Sequence, residues 1–160
     1  MSAIGKIALP PFGSGRKRRN KVPAKRGLSP TQRTLRALRD QGQVCAIVER
    51  FNQYAGPFGR REDLFGIIDV LALDPERGVV GIQCCGSDFK AHKDKILIEK
   101  AQETHDWLST KVHCPYCGHW SSATSLEVWS WRKVKLKRGG KAMRWKAKVE
   151  EIKMEDFENA

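Results

Sequence analysis

The sequence predicts a single α/β domain: a small mixed sheet flanked by helices, extended by a C-terminal β hairpin and preceded by a basic arm. Three observations predict it. Helical spacing and β-branched runs alternate between residues 30 and 108, two β-rich runs flank Arg138-Gly139-Gly140, and 160 residues fall in the usual range of one domain. The expected organisation is a disordered basic arm over 1–29, a folded domain over 30–152 with an insert at about 110–122, and an acidic tail over 153–160 that frays.

The arm follows from charge. The chain carries 30 Lys and Arg against 18 Asp and Glu, a net +12. Residues 1–29 hold eight basic side chains and no acid, so the remainder carries only +4. Between Pro10 and Pro30 there is almost nothing apolar to bury, which predicts disorder. No apolar run approaches the ~20 residues of a membrane span. Met1 to Phe12 is broken by Pro10 and Pro11 and lacks a signal-peptide core. Five cysteines, with only Cys114 and Cys117 in a recognisable pair, do not suit a disulfide framework, and a reducing cytoplasm is expected.

Ser29-Pro30 ahead of Leu35 and Leu38, with Gly42 as a stop, predicts a helix over roughly 30–41. Its Arg33, Arg36 and Arg39 form a basic stripe. Val44 to Val48 reads as a strand, followed by a loop through Gly56, Pro57 and Gly59. Leu64 to Leu73 and Val79 to Cys85 are strand-like runs joined by the turn Asp74 to Gly78, which predicts a hairpin. Lys90 to Leu108 has helical spacing, with Ile96, Leu97, Ile98, Ala101 and Leu108 on or near one face. Leu126 to Lys137 and Lys141 to Ile152 form the last hairpin around Gly139-Gly140. Met143, Trp145, Ala147 and Val149 share one face of it, and Arg144, Lys146 and Lys148 the other.

Asp69 stands alone among Ile67, Ile68, Val70, Leu71 and Leu73. A carboxylate inside a core strand is costly unless it is paired or bound to a metal. One reading is a strand-end acid paired with an arginine; the other is a site. The order helix, strand, strand with Asp69, turn, strand with Gln83, helix resembles the PD-(D/E)XK nuclease superfamily, above all its resolvase-like and phage-borne members. Asp69-Val70-Leu71-Ala72-Leu73 is similar to that family's acid-led second strand, and Val80-Gly81-Ile82-Gln83-Cys84-Cys85 to its third. Asp63-Leu64-Phe65-Gly66-Ile67-Ile68-Asp69, Leu126-Glu127-Val128-Trp129 and Trp131-Arg132-Lys133 extend the likeness over roughly 30–152, outside the insert.

The resemblance implies a restriction-endonuclease-like core and a DNA endonuclease dependent on Mg²⁺ or Mn²⁺, of the kind that resolves branched DNA in phage replication or recombination. It implies Asp69 as principal ligand, Asp63 as a second carboxylate and Gln83 as an amide-oxygen ligand, a donor set that suits hard cations. The family's strand lysine corresponds to Cys85, and the first-helix Glu of many resolvases to Gln32. A replacement ammonium is expected from the following helix, where Lys93 lies between Lys90 and Lys95. Glu49, beside Arg50, is a further acid, either at the site or in a salt bridge. The resemblance also implies DNA as partner and a homodimer, in a bacterial or phage-infected cytoplasm.

In the insert, His113-Cys114-Pro115-Tyr116-Cys117-Gly118-His119 looks like one knuckle of a zinc ribbon, with Cys114 and Cys117 as candidate Zn²⁺ ligands and His105, His113 or His119 to complete the shell. A second Cys-x-x-Cys is missing, and two unpaired loop thiols are the alternative. Arg16, Lys17, Arg18 and Arg19 in the arm, and Arg132, Lys133, Lys135, Lys137, Arg138 and Arg144 in the last hairpin, are expected to neutralise phosphates with little sequence preference. Trp129, Trp131 and Trp145 read either as cross-strand core pairs or as base-stacking residues. Two rival functions remain: a catalytically degenerate nuclease-fold DNA-binding protein, and a zinc-ribbon RNA or ribosome-associated factor.

Overall fold

A computed structural model describes residues 27–159. The arm and its Arg16, Lys17, Arg18 and Arg19 lie outside the described residues, apart from Gly27 to Ser29.

Helix α1 (Pro30–Asp40) starts where the sequence predicts. Ser29 Oγ accepts the Gln32 N–H at 3.2 Å, and Gln32 Oε1 accepts the Ser29 N–H at 3.1 Å. This reciprocal cap satisfies two helix-end donors and commits Gln32 to starting the helix.

Five strands make one mixed sheet: β1 (Val44–Ile47), β4 (Val70–Asp74), β5 (Gly78–Cys85), β8 (Thr124–Lys135) and β9 (Met143–Ile152), in the order β1-β4-β5-β8-β9. All pairings are antiparallel except β5 with β8. That parallel pairing needs a crossover, which helices α2 (Phe89–Asp94) and α3 (Ala101–Ser109) supply. The predicted α/β class, the β4–β5 hairpin and the β8–β9 hairpin are all present.

Strand alternation sorts the core into two layers. Leu35 and Leu38 of α1 pack with Val70, Ala72, Val80, Ile82, Cys84 and Trp129. On the other layer Ile96 and Leu97 pack with Ile67, Ile68, Cys85, Leu126, Val128 and Ile152.

Five details differ from expectation. First, the apolar run from Leu64 is not one strand. Leu64 and Ile68 exchange backbone hydrogen bonds around a turn with Phe65 at φ 55° and Gly66 at φ 75°, so β4 begins at Val70 and Asp69 sits just ahead of it. Second, the loop after β1 contains a small hairpin, β2 (Arg50–Asn52) and β3 (Arg60–Glu62). Third, the helix over 90–108 is interrupted by a π-helical turn at Lys95–Glu99, closed by Lys100 N–H to the Lys95 carbonyl at 2.9 Å. The turn leaves Ile98 60% exposed rather than on the buried face.

Fourth, the acidic tail is anchored, not frayed: Met154–Asn159 is a 3-10 turn, Phe157 packs against the core, and Asp156 accepts the Lys153 N–H at 2.8 Å. Fifth, the insert is a second small hairpin, β6 (Lys111–His113) and β7 (Trp120–Ser122). Among the described residues no helix is long and apolar enough to cross a membrane.

Candidate metal centre

Three carboxylates converge at the end of the sheet where β4 begins and β5 ends. Glu49 follows β1, Asp63 follows β3 and Asp69 precedes β4. Each offers an oxygen within 4.8 Å of the others. Backbone pairing holds them there. The Asp69 carbonyl accepts the Val48 N–H at 2.9 Å, and the Asp69 N–H donates to the Ile82 carbonyl at 3.0 Å. Residues far apart in sequence are thus brought together by the β1-β4-β5 register.

Asp69 is buried, and among the described residues no arginine pairs with it. Its Oδ2 accepts the Gln83 Nε2–H at 2.9 Å and the Cys84 N–H at 2.7 Å. Burial pushes its carboxyl up to about 7, against the Cys84 N–H, which lowers it; Asp63 and Glu49 add repulsion. The amide of Gln83 is 2% exposed, and its Oε1 has no hydrogen-bond partner. Three converging carboxylates, one of them bonded by an amide whose own oxygen is orphaned, are a donor set that fits a hard divalent cation.

Two of the acids also meet cations. Lys95 Nζ lies 2.9 Å from Asp63 Oδ2, and Arg61 pairs with Glu49. Glu49 therefore takes both roles the sequence offered it: salt-bridge partner and member of the cluster. Lys95, and not Lys93, stands at the cluster. Lys93 is held by Glu150 at 2.8 Å and Asp156 at 3.2 Å, where it ties β9 and the C-terminal turn to α2. Cys85 is a core residue, 2% exposed, and burial raises its thiol.

His92 was not singled out in the sequence. Its Nδ1 is buried without a partner, and burial lowers its pKa, as does Lys95, while Asp63 and Asp88 pull the other way. The available signal was spacing, since His92 and Lys95 are three apart on a helix and share a face.

The basic hairpin leaves the same end of the sheet. The last β5–β8 pair is Cys85 with Ser130, so Trp131 to Lys135 run on beyond β5. Arg132, Lys133, Lys135, Lys137, Arg138 and Arg144 are all exposed. Trp129 is core at 7% exposure, and Trp131 donates to Thr34 Oγ1 at 2.9 Å. Trp145 is exposed, with the Arg33 guanidinium 3.8 Å from its ring centroid. Trp129 and Trp131 serve the fold, whereas exposed Trp145 carries the cations Arg33 and Lys133 on its ring.

At the knuckle, Gly118 N–H donates to the Cys114 carbonyl and Cys114 N–H to the His119 carbonyl, each at 2.9 Å. Hydrogen bonds from the Cys117 backbone, its side chain and the Tyr116 backbone hold the Cys114 thiol below its ordinary range. The structure does not gather His113 and His119 with the two thiols: among the described residues the Glu49, Asp63, Asp69 group is the one cluster of metal-ligating type. The His113 ring instead packs on Trp120, at 5.0 Å between centroids.

Comparison of the chain with protein-family models, curated proteins and solved structures returns no match.

Proposed function

We propose that this protein is a metal-dependent DNA endonuclease with a restriction-endonuclease-like core. The observation that carries the proposal is the convergence of Glu49, Asp63 and Asp69, with Asp69 held by an amide, Gln83, whose own oxygen is buried and unpartnered. The order of α1, three antiparallel strands, a helical crossover and a parallel strand supports it, as does the basic β8–β9 hairpin leaving the same end of the sheet.

Asp69, Asp63, Glu49 and Gln83 would hold Mg²⁺ or Mn²⁺. When bound, such an ion offsets negative charge on a phosphodiester and makes water a better nucleophile near neutral pH. Asp69, as a carboxylate, supplies the principal charge, and the Cys84 N–H fixes its orientation. Lys95 supplies the ammonium that the strand lacks at Cys85, and its bond to Asp63 keeps it at the site. There it offsets charge developing on the phosphate. His92, whose ring feels both Lys95 and Asp63, would be the group to accept or return a proton. The exposed cations of the hairpin hold the phosphate backbone without reading sequence.

The knuckle is a separate proposal. Cys114 and Cys117 would provide two thiolates to Zn²⁺, half of a tetrahedral shell. Buried Cys85 favours a second reading, a DNA-binding protein of this fold without catalysis.

Scission of plasmid and branched DNA in Mg²⁺ or Mn²⁺, set against Asp69→Asn, tests the proposal. Loss of cleavage in the variant with DNA binding retained is expected. Cleavage by the variant at the wild-type rate refutes the site, and binding without cleavage by wild type leaves the second reading.

A further inference from the structure

The hairpin between Glu49 and Asp63 exposes an unusual set of aromatic residues. Phe51 is 61% exposed, Tyr54 86% and Phe58 92%, and Phe65, just past Asp63, is 58% exposed. The chain between two acids of the cluster thus forms a projecting arm whose aromatic rings are turned to solvent. Exposed apolar surface concentrated in one place marks an interaction site rather than a packing accident.

Two features hold Phe51 and Phe65 in place. Phe51 lies against Gly59, where an added Cβ would overlap the ring, so the glycine makes room for it. Phe65 occupies the left-handed region at φ 55°, the one residue other than glycine to do so among the described residues. Such a backbone is strained for a residue with a Cβ and is retained where surrounding structure fixes it.

Charge identifies the occupant. Strand register sets Phe51 opposite Arg61 and Asn52 opposite Arg60. The Arg50 and Arg61 side chains remain 80% and 69% exposed even though they pair with Glu62 and Glu49. Arg60, Arg61, Lys95 and Lys100, with Glu62, line the groove that runs from the arm past Asp63 to Phe65, where Lys95 pairs with Asp63 and Lys100 with Glu103. Guanidinium groups beside solvent-exposed aromatic rings, of which Tyr54 and Phe58 are the most open, match a polyanion that carries unstacked rings. Base-paired DNA offers the phosphates but keeps its bases stacked inside.

We propose that the β2–β3 arm is a stacking platform for unpaired nucleotides, so that the substrate has single-stranded character beside the scissile phosphate. This rests on the reading of the acid cluster as a DNA phosphodiesterase site. Tyr54 and Phe58 stack on bases at the arm's tip, Phe51 and Phe65 do so nearer the acids, and Arg60 and Arg61 meet the intervening phosphates. Stacking of this kind tolerates any base sequence.

The test is fluorescence anisotropy in EDTA with labelled single-stranded, 5′-flap and duplex oligonucleotides, for wild type, Tyr54→Ala/Phe58→Ala and Asp69→Asn. The double variant is expected to lose about tenfold or more in affinity for single-stranded and flap DNA, from two stacked bases, while duplex affinity stays put. Both side chains are solvent-exposed, so its thermal midpoint is expected to match wild type. In Phe58→Trp, single-stranded DNA is expected to quench the new tryptophan, and duplex is not. Asp69→Asn is expected to bind like wild type, which separates the two ideas: cleavage can fail while the arm still selects unpaired strands, and the reverse. Equal single-strand affinity in wild type and the double variant overturns the platform. So does an equal loss on duplex, or a dimer seen by light scattering that the double variant abolishes without changing DNA affinity.

Discussion

The side chains of Gln83 and Asp69 share one hydrogen bond, Nε2–H to Oδ2 at 2.9 Å, which leaves Gln83 Oε1 buried and unsatisfied beside the acid it orients. The bond fixes which way the amide faces, because the nitrogen must point at the carboxylate. Gln83→Leu would keep the bulk and remove both functions. Isothermal titration with Mn²⁺ is expected to show affinity about tenfold weaker in this variant, roughly the 1.4 kcal/mol of one good charged hydrogen bond or ligand. Unchanged affinity would assign Gln83 a packing role only.

The raised carboxyl of Asp69 makes stability depend on pH. Its folded value of about 7 lies above the ordinary 3.8, so the folded state holds this proton more tightly than the unfolded state does. The contribution is fully present below the ordinary value and is lost as pH rises through about 7. In the metal-free protein, the difference in thermal midpoint between wild type and Asp69→Asn is expected to move against wild type from pH 5 to pH 8. Mg²⁺ is expected to raise the wild-type midpoint more at pH 8, where the carboxylate is ionised, and to leave the variant's unchanged. A pH-independent difference would contradict the assignment.

Lys93 and Lys95 separate by function. Lys95→Ala is expected to slow cleavage by about 10²-fold with little change in thermal midpoint, the scale of losing one charge-stabilising donor. Lys93→Ala removes the ties to Glu150 and Asp156 and is expected to cost about 1 kcal/mol, since all three side chains are partly solvated, while cleavage is retained. Parallel urea melts and single-turnover cleavage distinguish them, and the opposite pattern would restore Lys93 to the site.

Zinc at the knuckle needs ligands beyond the two thiolates. A second copy offers an equal pair, so purified protein is expected to carry about half an equivalent of zinc per chain and to dimerise with it. Cys114→Ser is expected to abolish both. Elemental analysis with light scattering decides: a full equivalent in a monomer would place the remaining ligands within one chain, on His113 and His119.

Duplex binding is expected to weaken steeply with salt, by two or more orders of magnitude between about 50 and 200 mM, because several phosphates are neutralised. Arg132→Ala/Lys135→Ala/Arg144→Ala is expected to flatten the logarithmic salt slope by about three. A slope equal to that of wild type would remove the β8–β9 hairpin from the interface.

Local signals were legible where chain chemistry is local. Ser29, Pro30 and Gln32 marked the start of α1, and Gly139-Gly140 marked the last hairpin, because caps and turns are made by neighbours in sequence. Asp69 was legible as the single charge in an apolar run. The Phe65–Gly66 turn was hidden in that same run, since Leu64, Ile67 and Ile68 pack into the core whether extended or folded back. The β2–β3 arm has no alternation to betray it, being polar and aromatic with little burial. The meeting of Glu49 with Asp63 and Asp69 depends on pairings across the sheet, which no window of sequence contains. Lys93 and Lys95 are two apart on one helix and so point to different sides, and only the partners across the fold, Glu150 and Asp156 against Asp63, decide which reaches the cluster.

Lys95 opens the π-helical turn, and Trp107, further along α3, is moored by its indole N–H to the Ser125 carbonyl at 2.9 Å. Deleting one residue inside that turn would swing everything before it by about 100° relative to the moored end, the angle of one step in an ordinary helix. The lysine would then leave Asp63 although every atom of the lysine was still present. At this place the chain is constrained by how many residues it has, more than by which ones they are.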